Sequence, residues 1–302
     1  MHETANIHGY EIVPLSAVNI HALEVLHKSV HGRAVGLDHY NKKYENGGFG
    51  FFAFTKEFLP VSFYGIIPCT LTDGDKIVQS AQCVDAMTHP QHRHKGLFSL
   101  LSQKCVEACK EKEIQFVFGF PNQNSAPIFL NELGWSDLGH LQRFTIQIRN
   151  SFWSKLRRQF HNTNVLKSFE SKNKCLTSSV LKDGFIGVLR DGGYLRSKSG
   201  SGARVLQLEG ALVWLKANDT IQIGDMELSE EEFDDVMATL AKLAKRIGVS
   251  SIHFQTSPGT NLYQMFSKRL QAFESFPVIY KDFDSGLDIE RIKFTFADID
   301  IF

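Results

Sequence analysis

Residues 76–98, DKIVQSAQCVDAMTHPQHRHKGL, constrain this chain more than any other stretch. The first half reads as a buried to half-buried strand. It breaks at Pro90 into the basic turn Gln91-His92-Arg93-His94-Lys95-Gly96. The chain then enters an amphipathic helix, LFSLLSQKCVEACKEK. A strand, a donor-rich turn and a helix start together make an anion site, because the unpaired N–H groups of the first turn and the positive end of the helix dipole point at whatever lies there. Arg93, His94 and Lys95 add charge or further donors.

Size and charge narrow the rest. A chain of 302 residues is enough for two domains or one large one. Thirty-three basic residues balance thirty-three acidic ones, which argues against a nucleic-acid binder that works by bulk electrostatics. No run approaches the length of a membrane span, and the polar N-terminus, MHETANIHGYEIVPL, does not read as a signal peptide. The five cysteines contain no CxxC pair, so reduced thiols in a cytoplasmic protein are expected and no metal site is.

Read in order, residues 8–15 form a strand and Ser16 to Val30 a helix with Val18, Ile20, Leu23, Leu26 and Val30 on one face. Residues 31–48 are polar and aromatic, a short helix with loops where a substrate would be met. Strands follow at 49–55, 59–71 and 76–88, then a helix at 96–112. A strand at 114–121 comes next, a helix capped at Asn124 or Ser125 and stopped at Gly134, and a strand at 140–149. The expected first domain is therefore 1–150, a mixed α/β sheet. Residues 151–180 are basic and aromatic and read as a helical linker. Residues 181–302 repeat the order of strands, helix, strand, helix and strand, with a capping box at Ser229 and Glu232, and IKFTFADIDIF completes the sheet.

The turn and its surroundings resemble the GCN5-related N-acetyltransferase (GNAT) superfamily. The family's acyl-coenzyme A motif, Arg/Gln-x-x-Gly-x-Gly/Ala, is matched by Arg93-His-Lys-Gly96-Leu-Phe98. A second fingerprint lies in FVFGFPNQNSAPIFLNELGW, with Asn122, Ser125, Gly134 and Trp135 in register. The resemblance covers residues 8–149. It implies two tandem GNAT-like mixed-sheet domains, the second degenerate for coenzyme A because SEEEF, a run of Glu, replaces the basic turn. It further implies a cytoplasmic N-acyltransferase that passes the acyl group of acetyl-CoA or another acyl-CoA directly to a primary amine.

Two positions depart from the family pattern. Phe98 replaces a small residue, which suits a side chain turned into the core. Leu130 stands where many members place the Tyr that protonates the departing thiolate.

On this resemblance Arg93, His94, Lys95, Gly96, Leu97 and Phe98 hold the diphosphate of coenzyme A. Met87, Thr88, Asn122 and Ser125 line the slot for its pantetheine arm. Asp85, an acid inside an apolar strand, is the sharpest candidate for the base that frees the amine, with His140 and His253 as further candidates. The acceptor is expected to meet His39, Tyr40, Tyr44, Trp135, Arg143, Arg190, Tyr194 and Arg196. Aromatic residues that stack and arginines that grip phosphate suit the amino group of a nucleotide-linked amino sugar, of the kind used in polysaccharide biosynthesis. Another small amine, an aminoacyl substrate, or a non-catalytic acyl-CoA sensor stay open as alternatives. Neither nucleic acid nor membrane is expected as a partner.

Overall fold

The computed structural model describes residues 5–7, 9–149, 164–172, 176–192, 194, 198 and 202–302. They form a mixed α/β fold. The chain divides into two compact units, and the division does not follow the chain order: the first holds residues 1–70, 78–137 and 278–287, the second residues 71–77, 138–277 and 288–302.

In the first unit, β1 (Ala5–Ile7), β2 (Tyr10–Pro14), β3 (Phe49–Phe54), β4 (Pro60–Thr72), β5 (Ile77–Thr88) and β6 (Phe116–Gly119) lie side by side in chain order. β1 to β4 pair antiparallel, and β5 and β6 pair parallel. The crossover between that parallel pair is α3 (Leu97–Glu111), as parallel strands require. Strand alternation sends side chains to two cores. Phe52, Phe63, Val84 and Met87 meet Leu23, Leu26, Tyr40 and Tyr44 from α1 (His21–His31) and α2 (Leu37–Tyr44). Tyr64, Ala81 and Val117 meet Leu97, Leu101 and Cys105 of α3 together with Phe129 of α4 (Ala126–Asn131).

Three expectations shift here. α1 starts at His21 rather than Ser16, because Asn19 closes a turn by accepting from the Ser16 N–H at 2.8 Å and donating to the Pro14 carbonyl at 2.9 Å. Val18 consequently lies outside the helix and is exposed. α2 is a defined helix of eight residues that buries Tyr40 and Tyr44.

The third shift concerns the last strand of the first unit. The segment 140–149 was the expected one. In the structure β7 (Ser136–Gln147) pairs antiparallel with β12 (Ser251–Thr256) inside the second unit. The partner of β6 is instead β13 (Phe273–Asp282), through Ile279–Asp282. The alternation of each segment was legible. What it cannot specify is which neighbour each strand joins.

The second unit contains α5 (Asn164–Lys167), α6 (Ser179–Lys182), β8 (Gly187–Val188), β9 (Arg204–Leu208), β10 (Ala211–Ala217), β11 (Ile221–Glu227), α7 (Phe233–Ile247), β12 and α8 (Asn261–Ser267). The order β10, β11, α7, β12, α8 repeats the order β4, β5, α3, β6, α4, and β11 pairs parallel with β12 just as β5 pairs with β6. Its core gathers Phe144, Leu215, Ile223, Val236, Leu240, Phe254 and Phe266. Of the expected helical linker, the residues from 150 to 163 and from 173 to 175 lie outside the described ones, and α5 is the helix within 164–172.

The final segment is not the expected strand. It makes single bridges, Ile186 with Ile292 and Thr256 with Thr295, and then a 3-10 turn at Phe296–Asp298 closed by a capping box between Thr295 and Asp298. Its alternating aromatic residues are buried, but they pack on Trp214 and Gly224 of the second unit rather than extending a ladder: Phe302 meets the Trp214 ring edge-on at 5.3 Å and fills the space a side chain at Gly224 would need.

Candidate active site

In the first unit the parallel pairing of β5 with β6 runs from Ser80–Phe116 to Cys83–Gly119. There β6 ends, while β5 continues to Thr88. Gly119 is the close-approach residue at this point, since a side chain there would overlap the Cys83 sulfur. Beyond Cys83 the strand passes through Asp85, whose φ of +50° is the left-handed conformation that a non-glycine residue rarely adopts. Such a residue bends a strand in the manner of a β-bulge. Ser62 of β4 steadies the strand end. Its hydroxyl donates to the Met87 carbonyl at 3.0 Å and lies 2.8 Å from the Thr88 hydroxyl.

The chain then turns through Pro90–His92, a 3-10 turn, and reaches α3 through two more left-handed residues, His94 (φ +60°) and Gly96 (φ +72°). Gly96 is the N-cap of α3 and supplies no side-chain cap. Among the described residues the backbone N–H groups of His94, Lys95, Gly96, Leu97 and Phe98 have no acceptor. No protein atom lies within 4 Å of the place a Cβ on Gly96 would occupy. A row of free donors facing open space at a helix N-terminus is a ready anion site.

The side chains of the turn are tethered around it. Arg93 Nε donates to the Thr88 carbonyl at 3.2 Å. Tyr10 of β2 gathers the other two: its hydroxyl lies 2.9 Å from His92 Nδ1 and accepts from Lys95 Nζ at 3.1 Å. Burial lowers the His92 pKa, helped by the charges of Lys95 and His89, so the positive charge at neutral pH comes from Arg93 and Lys95. Phe98 turns inward and meets the edges of Tyr64 and Phe129 at 5.8 and 5.2 Å. A large residue is thereby accepted where a small one is usual.

Asp85 has a different occupation from the one its sequence context suggested. Oδ1 accepts from Lys43 Nζ at 2.8 Å, and Oδ2 accepts from the Tyr44 hydroxyl at 2.8 Å. The Asp85 and Lys43 side chains are 15% and 9% exposed, so water screens the pair little. Both carboxylate oxygens are thus occupied within the fold, one by an ammonium and one by a phenol. The geometry is that of a fixed anchor for α2.

His140, Arg143 and His253 belong to the second unit. His253 has both ring nitrogens occupied, Nδ1 by Thr145 at 3.0 Å and Nε2 by Ser251 at 2.8 Å, and its pKa is lowered by burial and by Arg143. His140 is exposed on β7. The three candidate bases are thus not gathered in one unit.

The expected acceptor contacts separate further. Arg190 is buried in the second unit, where Asp225, Asp298 and the Thr295 hydroxyl take its guanidinium. Tyr194 donates to the Ala297 carbonyl at 2.8 Å. Both therefore tie down the C-terminal segment and are corrected from ligand contacts to internal ones. Trp135 is likewise internal, 4% exposed and edge-on to Phe129 at 5.1 Å. Tyr40 is buried beneath α1 and α2 at 1% exposure. Arg196 lies outside the described residues. His39 remains at the surface, beside the Tyr40 ring. Asn122 caps the turn before α4, its Oδ1 accepting from the N–H groups of Asn124 at 2.9 Å and Ser125 at 3.1 Å.

Sequence reasoning missed four residues. Lys43, Tyr10 and Ser62 are far in sequence from what they hold. His31, the last residue of α1, stands 4.5 Å from the His27 ring. Its pKa is lowered by burial and by the charges of His27, Arg33 and Arg93, while Asp85 acts in the opposite sense. Its spacing of four from His27 was the available signal, since i and i+4 share a helix face.

Residues 31–137 match the family model of the acetyltransferase (GNAT) domain. The matched stretch, about a third of the chain, is a GNAT acetyltransferase domain and supports acyl-CoA-dependent N-acyl transfer with acyl-CoA as the donor. No curated protein matches the chain in sequence. Solved structures with the same fold include a GCN5-related N-acetyltransferase from Kribbella flavida, 15% identical, which superposes over 93% of this chain and 73% of that one with a TM-score of 0.61. A GCN5-related N-acetyltransferase from Anabaena variabilis ATCC 29413 is 13% identical, over 91% and 73% of the two chains, with a TM-score of 0.58. Eis1 from Mycobacterium abscessus is 14% identical, over 91% and 74%, with a TM-score of 0.55.

Among the described residues no helix is long and apolar enough to cross a membrane, and no group of three His, Cys, Asp or Glu side chains is placed to hold a metal ion.

Proposed function

We propose that the first unit binds acyl-CoA with its diphosphate on the free N–H groups of His94 to Phe98 and its pantetheine arm in the gap where β5 and β6 part. The acyl group then passes directly to a primary amine. The observation that carries this reading is the row of unpartnered donors at the start of α3, beside a strand end that has lost its parallel neighbour. Arg93 and Lys95 supply the charge, and Met87 and Thr88 present the strand end to the thioester. The reaction is placed in the cytoplasm, where coenzyme A thioesters are available.

Attack needs the amine unprotonated. His31 is the group we assign to take its proton. Partial desolvation and the neighbouring charges of His27, Arg33 and Arg93 lower the His31 pKa, which favours the neutral imidazole, while Asp85 acts in the opposite sense. Leu130 of α4 carries no exchangeable proton, so that helix position supplies no acid to the departing thiolate.

The second unit is proposed to bind no coenzyme A, because the turn into the corresponding helix is acidic, with Ser229 and Glu232 bonded to each other there. For the acceptor, a nucleotide-linked amino sugar is the finer reading. Of the side chains that suggested it, His39 and Arg143 remain at the surface, whereas Arg190, Tyr194 and Trp135 are internally engaged.

The test is acetyl-CoA binding by calorimetry, followed by thiol release with a panel of amines that includes nucleotide amino sugars, polyamines and amino acids. Binding with turnover of one amine class supports the reading and names the acceptor. Binding without turnover of any amine favours a sensor, and absence of binding defeats the site.

A further inference from the structure

Asp85 is a strand residue in a helix-like left-handed conformation, and it is not a glycine. Left-handed backbone is disfavoured for an ordinary L-residue, somewhat less so for Asp. Such a conformation persists where its surroundings over-determine it. The surroundings are two consecutive residues of α2. Lys43 and Tyr44 each take one oxygen of the carboxylate, at 2.8 Å. Tyr44 can reach because two glycines make room: a Cβ on Gly65 of β4 would overlap the Tyr44 hydroxyl, and one on Gly48 would lie 2.7 Å from the Tyr44 ring. Tyr44 also packs edge-on against Phe63 at 6.0 Å, so the ring is fixed as well as the hydroxyl.

This arrangement joins two sides of the site. α2 belongs to the segment 31–48, where an acceptor would be met. Asp85 is two residues from Met87, at the strand end proposed to present the thioester. We infer that Lys43 and Tyr44 form a clasp on Asp85 that fixes the bend of β5, so that the placement of α2 and the width of the acyl-pantetheine gap are set together. Asp85, Lys43 and Tyr44 are positioning residues, and the acceptor-side helix communicates with the donor slot through them. The inference rests on the proposed binding of acyl-CoA by the first unit.

Breaking the clasp from either end should have the same effect. In Lys43→Met the Asp85 carboxylate loses the ammonium beside it, and in Asp85→Asn the ammonium loses that carboxylate. Each variant is expected to weaken acetyl-CoA affinity by about tenfold or more, and to speed amide hydrogen exchange over Ala86–Thr88. The double variant Lys43→Met/Asp85→Asn should be no weaker than either single one, because neither charge is left unpaired. Tyr44→Phe, which keeps the ring and the ion pair, should show a smaller loss in the same direction. It also serves as the folded control should the charge variants fail to fold.

Calorimetry and exchange read the clasp whether or not the amine is known, so failure of turnover and failure of the clasp are separable. Where turnover is measured, Asp85→Asn should keep the acidic limb of the pH–rate profile and His31→Gln should lose it. The inference is overturned if Lys43→Met leaves affinity and exchange unchanged, if the two single effects add, or if Asp85→Asn removes the acidic limb while Lys43→Met does not.

Discussion

Two helices in this molecule begin in the same topological position, after a strand whose parallel neighbour lies across the helix, and they begin in opposite ways. α3 starts from a turn carrying Arg93 and Lys95, with a left-handed glycine as its cap and its first N–H groups open. α7 starts from Ser229-Glu-Glu-Glu232. There the Ser229 N–H donates to Glu232 Oε2 at 2.7 Å and the Glu232 N–H to Ser229 Oγ at 3.4 Å. Glu230 is paired with Lys268, and Asp234 takes Arg269 through two bonds of 2.6 and 2.8 Å. Neither helix has a side-chain cap, but the turn into α7 is acidic and bonded within itself. The start of α3 is left unfinished by its own residues, and that is the more informative state.

The charged residues of the two units differ in the same way, and this gives the largest effect to test. Arg190 is 1% exposed as a side chain and faces Asp225 and Asp298 at 0% and 1%. Burial works against its charge, but the two carboxylates outweigh it and keep the guanidinium charged. Arg190→Met should destabilise the second unit by about 3–5 kcal/mol, seen as a fall in the thermal midpoint, because it strands two buried acids. Affinity for acetyl-CoA should be unchanged. A loss of affinity with unchanged stability would return Arg190 to the ligand and erase the contrast.

Next in size is Gly96→Val. The backbone there is left-handed and the space beyond is open. A branched side chain would strain the cap and stand where the diphosphate is proposed to lie, so an affinity loss of about a hundredfold is expected with the fold retained. Unchanged affinity would show that the open helix start is not the anion site.

The smallest effect is one of pH. The His92 pKa is lowered by burial and by Lys95 and His89. A bound diphosphate favours the imidazolium, so binding takes up a proton. Affinity should therefore be flat above the imidazole pKa of the complex, rise as pH falls from there towards the depressed value of the free protein, and level off below it. Because the ring is near the surface, a gain of only about threefold is expected. His92→Gln should flatten the curve, and calorimetry across pH 5 to 8 measures both.

How much of this was legible in sequence follows from how local each feature is. The strand, turn and helix of residues 76–112 are contiguous, and each boundary is marked by a residue with its own chemistry: Pro90 ends the strand and Gly96 caps the helix. The inward turn of Phe98 was legible on the same grounds. Asp85 was misread because the residues that occupy it lie 42 and 41 positions away. Arg190 was misread for the same reason, its partners being 35 and 108 positions off. An unpaired acid or base in a sequence looks free for chemistry until the fold supplies its counter-ion. The strand pairings of β7 and β13 failed on other grounds, since a period of two tells which face is buried and not which edge is joined.

That last feature has a consequence in time. The first unit closes on residues 278–287, so about 160 residues, most of them of the second unit, must be synthesised between its β6 and the strand that pairs with it. At the usual 5–20 residues per second this is a delay of roughly 8–32 seconds. During it β6 lacks the partner strand β13, and the sheet that carries the proposed acyl-CoA site is incomplete. The two halves of the chain thus finish together, on a schedule set by the ribosome rather than by the order of their domains.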